Sequence, residues 1–225
     1  MLALFGSSRI SPGFAIVLSL VFGAACLAGC ASTQHVLDAA VKQNDVQKVT
    51  ALVASNPSLV FRTDRGGDTL LHWAAARDYQ PLAELLINDK ADVNARNIEG
   101  DTPLHLAAGN GYSDVAELLL THGAQVDATN NAQATPLDKA AQFDRAPQVE
   151  LLLDHGANIE TKDKNGDTPL HYAAMSGCRE AARVLLEHGS AVNMEDNDDM
   201  TALHQAILNG HAKVAELLSQ HGGHE

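Results

Sequence analysis

One block of sequence recurs at a constant period through most of this chain and restricts its fold more than any other feature. Each block opens with a string of threonine, apolar and small residues, and the strings begin at the evenly spaced positions Thr69, Thr102, Thr135, Thr168 and Thr201. A repeat of about 20 to 50 residues is typical of an array in which each unit buries its apolar face against its neighbours.

Each block predicts two short antiparallel helices. Threonine is a favourable N-cap, and the proline that follows it in three copies suits the first turn of a helix. Leucine pairs in the second half predict the packing between helices, at Leu85/Leu86, Leu118/Leu119, Leu151/Leu152, Leu185/Leu186 and Leu217/Leu218. A glycine in the left-handed conformation is expected to end the second helix at Gly123, Gly156, Gly189 and Gly222.

The strings TPLHLAA at 102–108 and LLLTHGAQVD at 118–127 resemble those of the ankyrin repeat. The resemblance implies an all-α ankyrin-repeat solenoid of about six helix-turn-helix repeats with short loop or β-hairpin tips. The predicted repeats cover about 34–65, 66–98, 99–131, 132–164, 165–197 and 198–225. The first lacks the T-P-L-H string, as a capping repeat does.

The fourth repeat departs most from this pattern. Asp138 stands where the other complete copies have histidine, Gln133 where most have a loop glycine, and Asp144 replaces the glycine between the helices. Two interpretations are open: lower local stability, or a surface altered for a partner.

Residues 1–29 predict a lipoprotein signal peptide. Arg9 precedes an apolar run from 14 to 28 that is short for a membrane span. The ending Leu27-Ala28-Gly29-Cys30 resembles a bacterial lipobox, which implies cleavage before Cys30, palmitate on Cys30, and a tether at 30–33 ahead of the domain at 34–225. Ala31 implies the outer membrane, with the periplasmic face as default. The alternatives are cleavage at nearby small residues and an uncleaved anchor.

The formal charge of −13 disfavours nucleic acid and anionic lipid surfaces as partners and favours a basic protein. We expect a monomer without a disulfide, because cleavage removes Cys26 and lipidation uses Cys30, which leaves Cys178 alone. No cofactor is predicted.

The sequence predicts neither a metal site nor an enzyme. Eight of the eleven histidines fall at repeat positions that do not converge. Asp163, Asn165 and Asp167 imitate the start of a calcium loop, but Gly166 is misplaced and no closing glutamate follows. We find no phosphate loop and no nucleophile elbow.

Ankyrin proteins bind partners through loop tips and the exposed side of the first helices, so the positions that vary between copies are the candidates. The predicted protein-binding residues are Trp73, Arg77, Arg96, Ile98, Leu106, Asn110, Lys139, Phe143, Tyr172 and Met175. For Trp73, Leu106 and Tyr172, packing between neighbouring first helices explains the residue equally well.

These observations predict a membrane-anchored protein-interaction module. One version is an inhibitor or immunity protein for a toxin directed at the envelope, since similar ankyrin lipoproteins occur beside secreted effectors. The alternative is an accessory factor in envelope or oxidative-stress defence, similar to ankyrin proteins associated with catalase. An enzyme and an effector secreted into a host cell are further classes.

Overall fold

The computed structural model describes residues 36–224, so the predicted signal peptide, the tether and Cys30 lie outside the described residues. The chain divides into two compact units between Val49 and Thr50. In the first unit, residues 36–42 form helix α1. Helix α2, Val46–Ser55, begins in that unit and ends in the second.

The second unit continues with a 3-10 helix, Pro57–Phe61, and then helices in pairs. Their bounds are α3 Leu70–Ala75, α4 Gln80–Asn88, α5 Pro103–Asn110, α6 Ser113–Thr121, α7 Pro136–Gln142, α8 Ala146–Asp154, α9 Pro169–Ser176, α10 Arg179–Glu187, α11 Ala202–Leu208 and α12 Ala212–Gln220. The first helices of successive pairs pack against one another in a row from α3 to α11, and the second helices form a parallel row from α4 to α12.

Small and branched side chains fill the space between these two rows. The paired alanines of the first helices are fully buried, as are the leucines that recur at Leu86, Leu119, Leu152, Leu185 and Leu218. The other member of most leucine pairs is half-buried, and in the pair Leu185/Leu186 it is the first rather than the second leucine that enters the core. The core therefore repeats with the period of the sequence.

Each first helix begins with a capping box, in which Thr69, Thr102, Thr135, Thr168 or Thr201 pairs with the residue three positions later. The second helices end as predicted, because Gly123, Gly156, Gly189 and Gly222 have φ values between 82° and 88°. Lys90 occupies the same position in the preceding copy with φ 69°.

The loops between pairs are joined by backbone hydrogen bonds. Ile98 donates its N–H to the carbonyl of Gly66 at 3.0 Å, and the same bond recurs one copy later in each case, at Asn131–Glu99, Lys164–Ala132 and Asn197–Asn165. Within single loops there are isolated antiparallel bridges at Thr63–Thr69 and Glu195–Thr201.

The predicted all-α solenoid is confirmed, since residues 36–224 contain helices and no sheet. The β-hairpin character expected at the loop tips is limited, within those residues, to the two bridges. None of the helices within 36–224 combines the length and apolar content needed to cross a membrane.

Candidate protein-binding surface

An Asp or Asn near the start of each loop fixes the shape of the loop tip. Asp64 accepts backbone N–H bonds from Gly66 at 2.8 Å and Asp68 at 3.0 Å through Oδ1. The same pair of bonds is made by Asn97, Asn130, Asp163 and Asp196. The calcium-like spacing at Asp163 is therefore explained by the turn, in which the carboxylate binds N–H groups of its own loop.

The second oxygen of these aspartates holds a side chain of the first helix nine residues later. Trp73 donates from Nε1 to Asp64 at 3.1 Å, and Tyr172 donates its hydroxyl to Asp163 at 2.8 Å. Gln205, at the equivalent position of the sixth repeat, donates from Nε2 to Asp196 at 2.9 Å and is buried. Burial and this bond to Asp163 raise the pKa of Tyr172.

Trp73 and Tyr172 are half-buried, so each presents part of its ring while its polar atom is held by the loop. Lys139 occupies the equivalent position of the fourth repeat and is also half-buried. Its Nζ lies 4.0 Å from Oδ2 of Asp101. Both interpretations of these positions, packing and binding, thus have structural support: the side chains are held in fixed orientations and remain partly accessible.

Other predicted residues are more exposed. The guanidinium of Arg77 lies 4.2 Å from the centroid of the Trp73 ring, an arrangement that favours a cation–π contact. Phe143 is 52% exposed. A methyl group at Gly109 would lie 3.4 Å from Cδ2 of Phe143, so this ring lies across the preceding first helix.

The remaining candidates lie at two kinds of position. At the loop tip, Arg96 is exposed and Ile98 is 68% exposed. On the first helices, exposed Asn110 donates to the carbonyl of Leu106 at 2.8 Å, and Leu106 and Met175 are half-buried. That all ten residues bind a partner stays a prediction.

The two most exposed large apolar residues of the described chain that were not among the predicted residues are Leu208 and Phe61. Leu208 is 72% exposed and follows Met175 by one repeat, so the repeat register alone could have indicated it. Phe61 is 61% exposed at the end of the 3-10 helix, where no repeat pattern marks it. It borders a surface hollow lined also by Thr63, Thr69, Ala91 and Arg96.

A family model described as ankyrin repeats, three copies, matches this chain over residues 37–130, 91–163 and 137–225. The chain belongs to the ankyrin-repeat family. Ankyrin arrays are protein-interaction modules that present an extended surface along stacked repeats. The row of first helices and the linked loop tips form that kind of surface in this protein.

Similarity to curated ankyrin proteins is partial. Palmitoyltransferase akr1 of Schizosaccharomyces pombe is 41% identical over 56 residues, which are 25% of this chain and 9% of that protein. A protein named Probable E3 ubiquitin-protein ligase XBOS32, of Oryza sativa subsp. japonica, is 33% identical over 70 residues, or 31% of this chain and 14% of its own length. This chain therefore spans less than a sixth of either relative, and the similarity lies in their ankyrin regions.

The ankyrin histidines link neighbouring repeats, as expected from the T-P-L-H pattern. Through Nε2, His72 bonds to the carbonyl of Asp101 at 3.0 Å, His105 to that of Ala134 at 3.1 Å, and His171 to that of Met200 at 3.1 Å. Burial lowers the pKa of His72 and His105. The rings of His72 and His105 therefore serve the scaffold as neutral hydrogen-bonding groups.

Cys178 is a buried free thiol that donates to the carbonyl of Gln142 at 3.2 Å. Burial raises the pKa of this thiol, so its thiolate form is disfavoured. This environment is that of a small packing residue.

The unusual residues of the fourth ankyrin repeat adopt the backbone of the residues they replace. Gln133 has φ 64° and Asp144 has φ 54°, in the left-handed region that favours glycine. Asp144 also accepts the N–H of Ala181 at 2.9 Å, at the start of α10. Its carboxylate thus adds a link between repeats that glycine cannot make.

One side-chain group has metal-ligand spacing: an atom of each of Asp167, His171 and Asp196 lies within 4.8 Å of the others. Both ring nitrogens of His171 are already bonded, to Thr168 and Met200. Both oxygens of Asp196 accept N–H bonds as well. Among these ligand atoms, Oδ1 of Asp167 is buried without a partner in the described part of the chain. The fold itself therefore accounts for most of this cluster, and the expectation of no metal stays a prediction.

Proposed function

We propose that this protein is an exported, lipid-anchored ankyrin module that captures another protein on the face formed by its first helices and loop tips. The membership in the ankyrin family supports the binding role. The lipobox-like ending at Cys30 supports the anchoring, and it lies outside the described residues.

The observation that carries the binding role is the fixed display of unlike side chains at equivalent positions. Trp73 and Tyr172 vary in identity, yet each is tied to an aspartate nine residues earlier. Side chains that are already ordered lose less conformational entropy when a partner binds. Phe143, Ile98 and Leu208 add exposed apolar area around them.

The net charge of the protein and the short tether after Cys30 restrict which proteins could be its partner. A formal charge of −13 favours fast association with a basic protein. A tether of a few residues after Cys30 would hold the module within roughly 10–15 Å of the membrane surface. The version that we favour is an inhibitor or immunity protein for a basic, envelope-targeted toxin.

We expect the double variant Arg77→Ala, Phe143→Ala to bind its partner at least about 30-fold more weakly, because exposed Arg and aromatic anchors commonly contribute about 2 kcal/mol each. The protein is crosslinked to its partner in isolated envelopes and purified, and mass spectrometry identifies the partner. Titration with that partner then gives the dissociation constant of each variant. The matched control is Arg179→Ala, Lys213→Ala, which removes exposed side chains from the second helices.

The outcome separates the candidate roles. A single toxin or hydrolase that is lost in the first variant and kept in the control supports the inhibitor. If the proteins lost in the first variant and kept in the control are resident envelope proteins, the accessory role is favoured. Equal binding by both variants contradicts the proposed face.

Anchoring has a separate test. Cys30→Ser is expected to move the protein from the membrane pellet to the soluble or precursor fraction, because the acylated sulfur is replaced by a hydroxyl. Fractionation with mass measurement of the N-terminus distinguishes the forms. The control is Cys178→Ser, whose thiol is buried in the repeat array; membrane retention of Cys30→Ser equal to this control rules out the lipid at Cys30.

A further inference from the structure

A histidine bridges two repeats at three junctions, and at one junction an aspartate stands in its place. His72, His105 and His171 each bond through Nε2 to a carbonyl 29 residues later. The equivalent residue of the fourth repeat is Asp138, and the carbonyl at the same separation from it belongs to Asp167. A carbonyl can only accept a hydrogen bond, so whatever faces it at this junction must donate.

The carboxyl of Asp138 is enclosed and only half satisfied. Asp138 is 1% exposed. Its Oδ2 accepts the backbone N–H of Thr135 at 2.7 Å and the hydroxyl of Thr135 at 2.9 Å. Its Oδ1 is buried with no hydrogen-bond partner among the donors of the described chain. In the histidine copies, Nδ1 takes the threonine N–H and Nε2 bridges to the next repeat, so Oδ1 is the carboxyl atom of Asp138 that remains for the second role.

The surroundings disfavour a negative charge at this position. Asp163 and Asp167, from the segment before α9, are the charged groups that act most strongly on Asp138. His171 follows on α9, and His105 and Asp101 occupy the junction on the α5 side. The other helices packed on α7 carry exposed Glu150, Asp154, Arg179, Glu180 and Glu187, together with Arg183, which pairs with Glu187.

We propose that Asp138 is a proton switch between the fourth and fifth repeats, in which the neutral carboxyl donates Oδ1–H to the carbonyl of Asp167 and the ionised carboxylate breaks that link. On ionisation the proton passes to solvent, and the carbonyl of Asp167 keeps the N–H of Asp163 at 3.0 Å but loses this second donor. Histidine makes the equivalent link at the other three junctions, whereas at this junction the link depends on the protonation of Asp138.

The direction of the pH dependence of stability follows from the burial of Asp138 and from the charges near it. Burial is the largest cause, followed by the opposing bonds from Thr135 and the repulsion from Asp163 and Asp167, and together they raise the pKa of Asp138 to about 7. A carboxyl with a raised folded-state pKa adds stability below its unfolded value, and this stability is lost as pH rises through the folded value. The window of loss therefore runs from about pH 4 to about pH 7.

The next junction adds to the effect. Asn97 donates to Asp68 at 2.9 Å and Asn130 donates to Asp101 at 2.7 Å, each across one repeat junction. The equivalent pair further along is Asp196 and Asp167, two carboxyls. Burial raises the pKa of Asp167, whereas for Asp196 burial is outweighed by N–H donors at Met200, Gln205 and Asp198, which lower its pKa. Asp167 thus disfavours ionisation of Asp138 whenever it is itself charged.

The test compares the wild-type protein with Asp138→Asn, whose amide supplies the donor at every pH and keeps an oxygen for Thr135. Chemical denaturation from pH 4.5 to 8.5 gives the unfolding constant of each. The ratio of wild-type to variant constants is expected to rise by up to about tenfold per pH unit until about pH 7 and then level off. Contributions from groups that do not interact with Asp138 are common to both proteins and cancel in this ratio.

A second readout detects the proton directly. The wild-type protein at pH 5.5 is expected to show an infrared carbonyl band of a protonated carboxyl that is reduced in Asp138→Asn and unchanged in the control Asp154→Asn, which removes an exposed carboxylate. Asp138→His restores the donor of the other repeats. Its unfolding constant, divided by that of Asp138→Asn, is therefore expected not to rise between pH 4.5 and pH 7. A ratio that stays constant with pH, or a band that is as strong in Asp138→Asn as in the wild-type protein, overturns the switch.

Discussion

Replacing Leu119 by alanine is expected to lower the free energy of unfolding by about 2–5 kcal/mol, the range found for buried leucines that leave a cavity. Leu119 is fully enclosed in α6, which packs on α4 on one side and α8 on the other. One cavity in this position therefore weakens two repeat junctions at once. Denaturation by urea, followed by far-ultraviolet circular dichroism, measures the loss.

Two further leucines serve as controls for this result. Leu118→Ala changes the half-buried neighbour and should cost clearly less. Leu218→Ala empties the equivalent position in α12, which in the described part of the chain packs on one neighbouring second helix, α10, so that its helix pair can unfold locally while the rest of the array stays folded. If all three substitutions lower the unfolding free energy equally, the described core does not govern the stability.

His105→Ala is expected to destabilise the protein by about 1–3 kcal/mol, the cost of a buried polar group left without a partner. The ring accepts the backbone N–H of Thr102 at 3.1 Å and bridges to the carbonyl of Ala134 at 3.1 Å. Alanine leaves the N–H of Thr102 without this acceptor and removes the bridge between repeats, while the carbonyl of Ala134 keeps the N–H of Asn130 at 2.9 Å. Thermal and urea denaturation at pH 7.5 measure the effect, with His122→Ala as an exposed control.

This histidine also gives the wild-type protein a pH dependence opposite in sign to that proposed for Asp138. Burial lowers the folded-state pKa of His105, so its contribution is present above the unfolded value of about 6.5 and is lost as pH falls through the folded value. His105→Ala should therefore show a shallower loss of stability on acidification. An unchanged slope would mean that folding does not lower the pKa of His105.

The sequence predicted the helices well because the constraints on them are local and repeated. A threonine cap, a proline in the first turn and a glycine after the last turn act within a few residues, and each acts several times. The end of each second helix was predicted correctly for this reason, at Gly123, Gly156, Gly189 and Gly222. The loop bonds between copies, such as Ile98 to Gly66, could not be predicted because they depend on how one repeat stacks on the next.

The surface was predicted less completely. Counting in steps of one repeat selected the positions that vary, but it could not distinguish exposed Phe143 from buried Gln205. Gln205 is held by Asp196 of its own loop, whereas Phe143 follows the last residue of α7 and its ring lies against Gly109 of the preceding first helix. The unsatisfied oxygen of Asp138 was likewise invisible in the sequence, where the residue was only a departure from histidine.

The hydrogen bonds that connect the repeats have constant spacings along the chain. The separation from histidine to carbonyl is 29 residues, as from His105 to Ala134, and the separation between loop tips is equally constant, as from Ile98 to Gly66. Recombination that removes or duplicates one whole copy would bring equivalent donors and acceptors together again. An insertion or deletion of another length inside a repeat would misalign them. The gene can therefore change the length of this array in steps of one copy, and with it the extent of surface offered to a partner, without redesigning any junction.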